Sequence, residues 1–299
     1  MVVELEGGGA IGRAECVPYP RYGESIDYVC AQIAGAAEGL VVANAGERIM
    51  GLPPGAARNA LDCALWDWRA KQHRTTVWEL AGLSAPAPET ATMRTVSVGS
   101  VPAMRDAAKR LAGASVIKIK VDGGDDLDRV AAVHEAAPEA ELVVDANESW
   151  SVDQLVSWLP KLPALGVTLL EQPLPSHADG ALEGMEHPVP VCADESFHDR
   201  RSFLGVEGRY DVVNVKLDKT GGLTEALACV AEAERRGFEV MIGCMVCTSL
   251  GIAPALLLAG AARYVDLDGP LLLERDREGA LHDRAAGLLR PSPVIWGAA

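Results

Sequence analysis

Short apolar runs alternate with amphipathic segments from about residue 92 almost to the end of the chain. The runs are rich in Val, Ile and Leu, which is typical of strands buried on both faces. The segments between them, such as DLDRVAAVHEAA and LTEALACVAEAERR, carry apolar residues at helical spacing. This alternation predicts a TIM-type (β/α) barrel. The eight predicted strands are residues 95–99, 116–121, 141–145, 167–171, 189–194, 211–216, 238–243 and 264–268.

The first 90 residues follow a different pattern. Residues 1–17 form two alternating arms around a Gly-rich turn, which predicts a hairpin. Two helices are expected next, one capped by Ser25 and one following a Pro-Pro pair. We therefore predict an α+β capping domain over residues 1–90 and a catalytic barrel over 91–270. Residues 271–299 lack clear periodicity and are expected to pack back onto the capping domain.

Composition narrows the function classes. The chain has 299 residues, is 49% hydrophobic and carries a net charge of −15, which argues against a nucleic-acid partner. No apolar run approaches the ~20 residues of a membrane span, and no signal-peptide pattern is seen, so a cytoplasmic protein is expected. The seven cysteines mostly lie in apolar segments and are expected to be buried thiols, including the Cys244–Cys247 CxxC pair.

Three successive predicted strands end in a carboxylate: Asp145, Glu171 and Asp194. One Asp after an apolar run is common wherever a strand becomes a turn. Here the separations are 26 and 23 residues, each about one βα unit, so parallel strands would bring all three carboxylates to one edge. Such a cluster repels itself unless a cation neutralises it. An all-oxygen set suits Mg²⁺, with Mn²⁺ as the alternative.

Three lysines lie on strands near this cluster. Lys118 and Lys120 in VIKIKV are two residues apart and therefore share a strand face, while Lys216 ends DVVNVK and is expected across the barrel. On a solvated edge such lysines would be unremarkable. Inside a barrel they suit removal of a proton next to a carboxylate, with Lys120 and Lys216 as bases of lowered pKa and Lys118 as a fixed cation.

Several motifs occur together in a recognisable order: VIKIKVD, VVDANESW, LLEQPLP, CADES and NVKLDKTGGLTEAL. In this order and spacing they resemble the enolase superfamily, muconate-lactonizing subgroup, and within it the dipeptide epimerases, most closely those acting on L-Ala-D/L-Glu in murein peptide recycling. The resemblance covers nearly the whole chain, including PYPRYGES and ARNALDCALWD in the capping domain.

The resemblance implies a Mg²⁺-dependent isomerase that performs a 1,1-proton transfer at the C-terminal α-carbon of a dipeptide. It implies metal ligation by Asp145, Glu171 and Asp194 and acid/base roles for Lys120 and Lys216. The aspartates of YVDLDGP, Asp266 and Asp268, match the family's diagnostic pair, and two carboxylates on one strand face can hold an α-ammonium group. Thr95 is a weaker substrate-contact candidate, and Asn147 and Glu195 are expected to support the ligands.

One departure and two alternatives accompany this interpretation. Family members begin with a further strand and a mobile loop that closes over the site. That segment is expected to be absent here, or the start of the chain to be placed too late. Its absence would affect closure of the site, exclusion of water and the preference for Glu. Another reaction of the subgroup, by a cycloisomerase or o-succinylbenzoate synthase, is disfavoured by Asp266 and Asp268. A catalytically impaired paralogue that binds metal and ligand is disfavoured by retention of the catalytic residues. A homo-oligomer is an open alternative to a monomer.

Overall fold

The amino-terminal part of the chain is a hairpin packed against helices. The structure is a computed structural model that describes residues 1–283, 287–292 and 294–297. Ser25 caps the first helix as predicted, because its hydroxyl accepts the Tyr28 N–H at 3.1 Å. The elements are β1 (Val2–Gly7), β2 (Ala10–Glu15), α1 (Ile26–Ala37), α2 (Ala45–Met50), α3 (Ala56–His73) and α4 (Val77–Leu80).

Helix α3 is the core of the capping domain and is buried along most of its length. The hairpin approaches it so closely that a Cβ on Gly12 would lie 2.1 Å from the Ala64 carbonyl oxygen. The Trp68 indole N–H donates to the Gly7 carbonyl at 2.9 Å and fixes the turn of the hairpin on the helix. Glycine at position 12 is therefore required by the close approach of strand and helix.

Eight parallel strands form a nearly closed barrel, which confirms the fold class and all eight predicted strands. Each barrel strand pairs with the next along the chain, and the Met93 N–H donates to the Val265 carbonyl at 2.9 Å between the first and last. The first strand is shorter than predicted, because the chain turns after Val96 towards the Ser100 cap of the following helix. The strands are β4 (Arg94–Val96), β5 (Val116–Lys120), β6 (Glu141–Asp145), β7 (Val167–Glu171), β8 (Val191–Ala193), β9 (Val212–Lys216), β10 (Glu239–Gly243) and β11 (Tyr264–Asp266), preceded by the short β3 (Thr90–Ala91).

Helices cover the outside of the barrel, and an apolar layer fills its interior. Val143, Leu169 and Cys192 belong to this buried layer, and each lies two residues before one of the three carboxylates. Strand alternation therefore turns the carboxylates inward as well, directly above an apolar floor. The helices are α5 (Val101–Arg110), α6 (Asp126–Ala136), α7 (Val152–Trp158), α8 (Phe203–Val206), α9 (Leu217–Thr220), α10 (Leu223–Arg236) and α11 (Ser249–Leu256).

The carboxyl-terminal segment contacts the capping domain. The Trp296 indole N–H donates to the Cys63 carbonyl at 3.2 Å, and the Gly297 N–H donates to Asp67 Oδ1 at 2.9 Å. Two short strands, β12 (His282–Asp283) and β13 (Leu288–Leu289), form a three-stranded sheet with β3. Within the described ranges no helix is long and apolar enough to cross a membrane. The seven cysteines are free thiols, and five of them are buried as expected. Cys30 is exposed and Cys244 is partly exposed, which corrects the expectation for those two.

Candidate active site

The three predicted ligand carboxylates lie together at the carboxyl end of the barrel. Asp145 and Glu171 are the last residues of β6 and β7 and are paired in register, and Asp194 follows β8 directly. Their exposed fractions are 0%, 0% and 2%. Three buried carboxylates require positive charge or protonation nearby, since each loses its hydration.

Lysine ammonium groups supply that charge on one side of the cluster. Lys118 Nζ lies 2.9 Å from Asp145 Oδ2 and 2.6 Å from both Glu171 Oε2 and Asp266 Oδ2. Lys120 Nζ donates to Asp145 Oδ2 at 2.5 Å and to Asn147 Oδ1 at 2.8 Å. Both lysines lie inside the barrel as the alternation of β5 predicts. Lys118 is 2% exposed, whereas the Lys120 side chain retains 30% exposure and can be reached from the barrel mouth.

A second pair of lysines meets Asp194. Lys216 Nζ donates to Asp194 Oδ2 at 2.7 Å, and Lys219 Nζ donates to the Asp194 carbonyl at 2.6 Å and also to its Oδ1. Strand β9, which ends at Lys216, is four positions from β5 in an eight-strand ring. Lys216 and Lys120 therefore stand on opposite walls of the barrel, as predicted from the order of the strands.

The charges shift the pKa values of these groups in opposite directions. Burial opposes ionisation of Asp145, yet Lys118 and Lys120 hold its pKa at about 2. The lowered pKa expected for Lys216 depends on a neighbouring Mg²⁺ and stays a prediction. Burial would lower the pKa of Lys216, but Asp194 and Glu171 raise it well above its ordinary value. Burial instead lowers the pKa of Lys219, despite its contact with Asp194.

Glu171 of the cluster and Glu195, which follows Asp194, each have a buried oxygen without a hydrogen bond. Glu171 Oε1 accepts the Asn214 amide at 2.9 Å, whereas buried Oε2 has only the ionic contact with Lys118 and no directional hydrogen bond. Glu195 Oε1 accepts the Asn147 amide at 3.1 Å, and its buried Oε2 has no hydrogen-bond partner. Burial and the charges of Asp194 and Asp145 raise the pKa of Glu195 to about 7.

The donor set fits Mg²⁺. Among the described residues no three carboxylate, imidazole or thiolate side chains are already arranged around one point as metal ligands. The carboxylates do not surround a common point because each is paired with a lysine: Lys118 contacts Asp145 and Glu171, and Lys216 contacts Asp194. The side chains are nevertheless all hard oxygen donors on neighbouring strand ends, and Glu171 Oε2 lacks a hydrogen bond.

The aspartate pair lies beside this cluster, with a geometry that differs from the prediction. Asp266 ends β11, but Asp268 lies beyond the strand at the start of the turn Gly269–Leu272, so the two do not share a strand face. Asp266 Oδ2 contacts Lys118, while its buried Oδ1 has no hydrogen-bond partner. Asp268 Oδ2 accepts the Thr95 N–H at 3.0 Å, and burial together with Asp266 raises the pKa of Asp268 to about 6. The two buried carboxylates can therefore accept hydrogen bonds from a bound cation.

Residues that the sequence did not single out complete the site. The capping-domain loop at PYPRYGES brings the Tyr22 ring against His198 with centroids 4.7 Å apart, and burial and the charge of Asp194 raise the pKa of Tyr22. Arg21 of the same loop forms an ion pair with Glu148 after β6. Lys219 and Asn214 join from within the motif NVKLDKTGG. All of these residues lie in or beside the quoted motifs, but the motifs alone do not reveal which side chains touch the carboxylates.

Family models match both parts of the chain. Residues 1–82 match the mandelate racemase/muconate lactonizing enzyme N-terminal domain, and residues 103–283 match the enolase C-terminal domain-like family. The two matches together span most of the sequence and leave residues 83–102 between them.

Individual relatives extend this likeness. The chain is 48% identical to an L-Ala-D/L-Glu epimerase of Escherichia coli (strain K12), covering 94% of this chain and 88% of the relative. It is 44% identical to an N-acetyl-D-glutamate racemase of Pseudoalteromonas sp, covering 96% and 92% respectively. A dipeptide epimerase from Enterococcus faecalis, solved with Mg and the dipeptide L-Leu-L-Tyr, superposes with a TM-score of 0.89 at 28% identity, covering 99% of this chain and 89% of that chain.

Proposed function

The chain belongs to the mandelate racemase/muconate lactonizing enzyme family of the enolase superfamily, and on that premise we propose that it is a Mg²⁺-dependent dipeptide epimerase. The substrate is a dipeptide with an acidic C-terminal residue, L-Ala-D/L-Glu in the first instance. The reaction is a 1,1-proton transfer that inverts the C-terminal α-carbon, which makes the protein an isomerase.

The observation that carries the dipeptide assignment is the pair Asp266 and Asp268. Both are buried, Asp266 Oδ1 has no hydrogen-bond partner, and the raised pKa of Asp268 reflects its repulsion by Asp266 as well as burial. A substrate ammonium group would relieve both conditions through charge-assisted hydrogen bonds. The N-terminus of a dipeptide supplies such a group, whereas a muconate or a succinylbenzoate precursor has none.

The lysines on opposite walls account for the proton transfer. With the α-carbon between them, the amine of either Lys120 or Lys216 takes the α-proton from one face, and the ammonium of the other returns a proton to the opposite face. Each turnover therefore inverts the centre and leaves the two lysines with exchanged protonation states. Lys118 stays charged, because its three carboxylate neighbours raise its pKa well above the ordinary value against the effect of burial, and it stabilises the negative charge that develops on the substrate carboxylate.

Asp145, Glu171 and Asp194 would hold the Mg²⁺, with Asn147 and Glu195 beside them. Bound there, Mg²⁺ would stabilise charge developing on the substrate carboxylate and offset the negative charges that raise the pKa of Lys216. These assignments are supported by the burial of the carboxylates, their all-oxygen chemistry and the relative that was solved with Mg.

Racemisation of an N-acylated glutamate is a second candidate function, and the relative named N-acetyl-D-glutamate racemase is the observation that favours it. The reacting halves of the two substrates are alike, because both are N-acylated amino acids with a free α-carboxylate. They differ where Asp266 and Asp268 lie, since N-acetylglutamate has no ammonium group to pair with them. Two buried carboxylates, one of them with an oxygen that lacks a hydrogen bond, would then face a neutral methyl group, which favours the dipeptide.

Proton NMR in D₂O with Mg²⁺ tests both functions in one experiment. L-Ala-L-Glu and N-acetyl-L-Glu are incubated separately with enzyme, and the α-proton signal of the glutamyl residue is followed. We expect loss of that signal and appearance of the L-Ala-D-Glu diastereomer, at a rate well above that for N-acetyl-L-Glu. Faster exchange of N-acetyl-L-Glu would transfer the assignment to the racemase, and no exchange of either would contradict the proton-transfer mechanism.

The cellular setting belongs to the same proposal. A dipeptide of L-Ala and Glu suggests recycling of murein peptides in the cytoplasm, and the family suggests assembly into a homo-oligomer. Cell fractionation tests the location, and light scattering coupled to size-exclusion chromatography tests the oligomeric state.

A further inference from the structure

Three of the four non-glycine residues with positive φ in the described chain cluster just after the first two carboxylates. Asn147 and Glu148 follow Asp145, with φ of 40° and 68°, and Gln172 follows Glu171, with φ of 36°. Left-handed backbone is unfavourable for residues that carry a Cβ and persists only where surrounding contacts enforce it. Gln172 is also 0% exposed, so its amide must find all its partners within the protein.

The main chain of Gln172 joins the strand ends on either side of it. Its N–H donates to the Cys192 carbonyl in β8 at 2.9 Å, and its carbonyl accepts the Glu148 N–H from the turn after β6 at 2.8 Å. The residue that directly follows β7 therefore connects the segments on both sides of it at the level of the carboxylates. The left-handed φ turns the peptide so that both bonds form at once.

The side chain of Gln172 replaces a missing strand contact at Asp194. The pairing of β7 with β8 ends at Glu171 and Cys192, so Asp194 lies beyond that ladder. Gln172 Oε1 instead accepts the Asp194 N–H at 2.9 Å and the Ser196 N–H at 3.1 Å. The main-chain N–H of the third proposed ligand is thus fixed by a side chain that follows the second.

The far side of the same amide is anchored in a buried network. Gln172 Nε2 lies 2.9 Å from the Leu174 carbonyl, from Ser196 Oγ and from the Tyr210 hydroxyl. Ser196 and Tyr210 both donate to Asp179 Oδ2, at 2.7 Å and 3.0 Å. Hydrogen bonds at both Oε1 and Nε2 therefore fix the orientation of the Gln172 amide, and the amide in turn holds the Asp194 backbone.

We infer that Gln172 is the positioning residue of the proposed Mg²⁺ site, setting the separation of Asp145, Glu171 and Asp194. The inference rests on the proposed function, since it concerns the ligands of that site. The Gln172 amide contacts main-chain groups and two hydroxyls, and Gln172 is not one of the three proposed ligands. Mg²⁺ tolerates little departure from octahedral geometry, so loosening the Asp194 backbone should weaken Mg²⁺ binding more than Ca²⁺ binding. Loss of a residue that orients metal ligands typically weakens metal binding by about 10- to 100-fold.

Two variants distinguish the contribution of the Gln172 side chain to metal binding from that of the strained backbone. Gln172→Met keeps a side chain of similar length without the amide, and Gln172→Gly removes the side chain while relieving the positive φ. Tyr210→Phe is the matched control, because it removes one partner of Nε2 and leaves the contact with Asp194 intact. Calorimetric titration of wild-type protein and each variant with Mg²⁺ and then Ca²⁺, without substrate, measures the metal site alone.

We expect both Gln172 variants to bind Mg²⁺ about 10- to 100-fold more weakly, with a smaller loss for Ca²⁺, and Tyr210→Phe to change Mg²⁺ binding less than about threefold. Should Gln172→Met fail to fold, Gln172→Gly alone decides. Wild-type affinity for Mg²⁺ in the Gln172 variants, or an equal loss for both metals, would overturn the positioning role while leaving the proposed function standing. Absence of Mg²⁺ binding by the wild-type chain would overturn both.

Discussion

Buried charged groups occur in two regions of this molecule. One is the interface of the capping domain with the barrel and the carboxyl-terminal segment, and the other is the barrel mouth; the partners of the charges differ between them. At the interface most of the partners are main-chain groups, although Asp67 also pairs with Lys71 one turn along its own helix, at 2.7 Å. Asp67, 0% exposed, accepts the Arg13 N–H at 2.8 Å and the Gly297 N–H at 2.9 Å. Arg58, 6% exposed, donates to the Gly221 carbonyl at 3.2 Å and to that of Thr220.

At the mouth the partners are other charged side chains. Lys118 is shared by three carboxylates, Asp194 by two lysines, and buried oxygens of Glu195 and Asp266 have no hydrogen bond. Main-chain groups cannot leave without unfolding the segment, whereas charged side chains can re-pair around a ligand. Burial therefore does not distinguish a structural charge from a functional one, but the share of main-chain groups among its partners does. Substitutions in the two regions should affect different measurements.

The largest effect is expected from the lysines at the mouth. Lys120→Ala or Lys216→Ala should reduce epimerisation of L-Ala-L-Glu by about 10²- to 10⁴-fold, because each removes one of the two proton carriers. The unfolding temperature with Mg²⁺ present should stay within a few degrees of wild type. Diastereomer formation followed by proton NMR and thermal melts provide the two measurements. Near-normal turnover in either variant would remove the two-base mechanism.

Metal binding should stabilise the fold through the mouth alone. At a Mg²⁺ concentration of 100 times its dissociation constant, linkage predicts about 2.7 kcal/mol of added stability, seen as a higher unfolding temperature than in EDTA. Asp194→Asn should abolish most of this increase. Asp67→Asn at the interface is the control and should retain it. An equal increase in both variants would place the Mg²⁺ elsewhere.

The aspartate pair should affect substrate choice. Asp268→Asn removes one of the two charges proposed to hold the dipeptide ammonium, and a lost hydrogen bond to a charged group predicts a decrease of about 10- to 100-fold in kcat/KM for L-Ala-L-Glu. N-acetyl-L-Glu lacks the ammonium, so its exchange should fall less or rise. Parallel decreases for both substrates would contradict ammonium recognition at this pair.

At the interface we expect the opposite result, a loss of stability with little change in activity. Asp67→Ala leaves the Arg13 and Gly297 N–H groups and the Lys71 ammonium without their acceptor. The Gly297 N–H is buried, and a buried group left unsatisfied should destabilise the protein by about 1–3 kcal/mol. The kcat of the folded fraction should remain within about twofold of wild type. Denaturant melts measure the first quantity and initial rates the second. A specific loss of kcat without loss of stability would break the distinction between the two regions.

The smallest effect concerns pH and the interface residue Asp218, which accepts the Val17 N–H and the Asn59 amide. Burial, with the charges of Glu24 and Glu15, raises the pKa of Asp218 from 3.8 to about 7. The folded state therefore binds this proton more tightly than the unfolded state. Its contribution to stability is present below about pH 4 and is lost as pH rises through 7.

Asp218→Asn tests this linkage, because an uncharged amide removes the titration. Unfolding temperatures measured from pH 4 to pH 8 should fall less steeply towards high pH in the variant than in wild type. A pH profile of unchanged slope would show that Asp218 is not the titrating group.

Sequence periodicity was sufficient for the scaffold. The eight barrel strands, the hairpin and the capped helix at Ser25 are all found where the apolar pattern predicted them. The spacing of Asp145, Glu171 and Asp194 by one βα unit also predicted their meeting. These features depend on local chain geometry, since a period of two or 3.6 residues decides which side chains face inward, and parallel strands then align their carboxyl ends.

The pairing of charges was decided by the tertiary structure. The raised pKa of Lys216, the place of Asp268 beyond its strand, and the contacts of Lys219 and Gln172 with Asp194 were not predicted. The contact between Lys118 and Asp266 joins residues 148 positions apart, so no local pattern encodes it. The sequence by itself determined which groups reach the mouth of the barrel. Distances of a few ångströms between side chains on different strands determined which lysine pairs with which carboxylate, because electrostatic energy and hydrogen bonding depend steeply on separation.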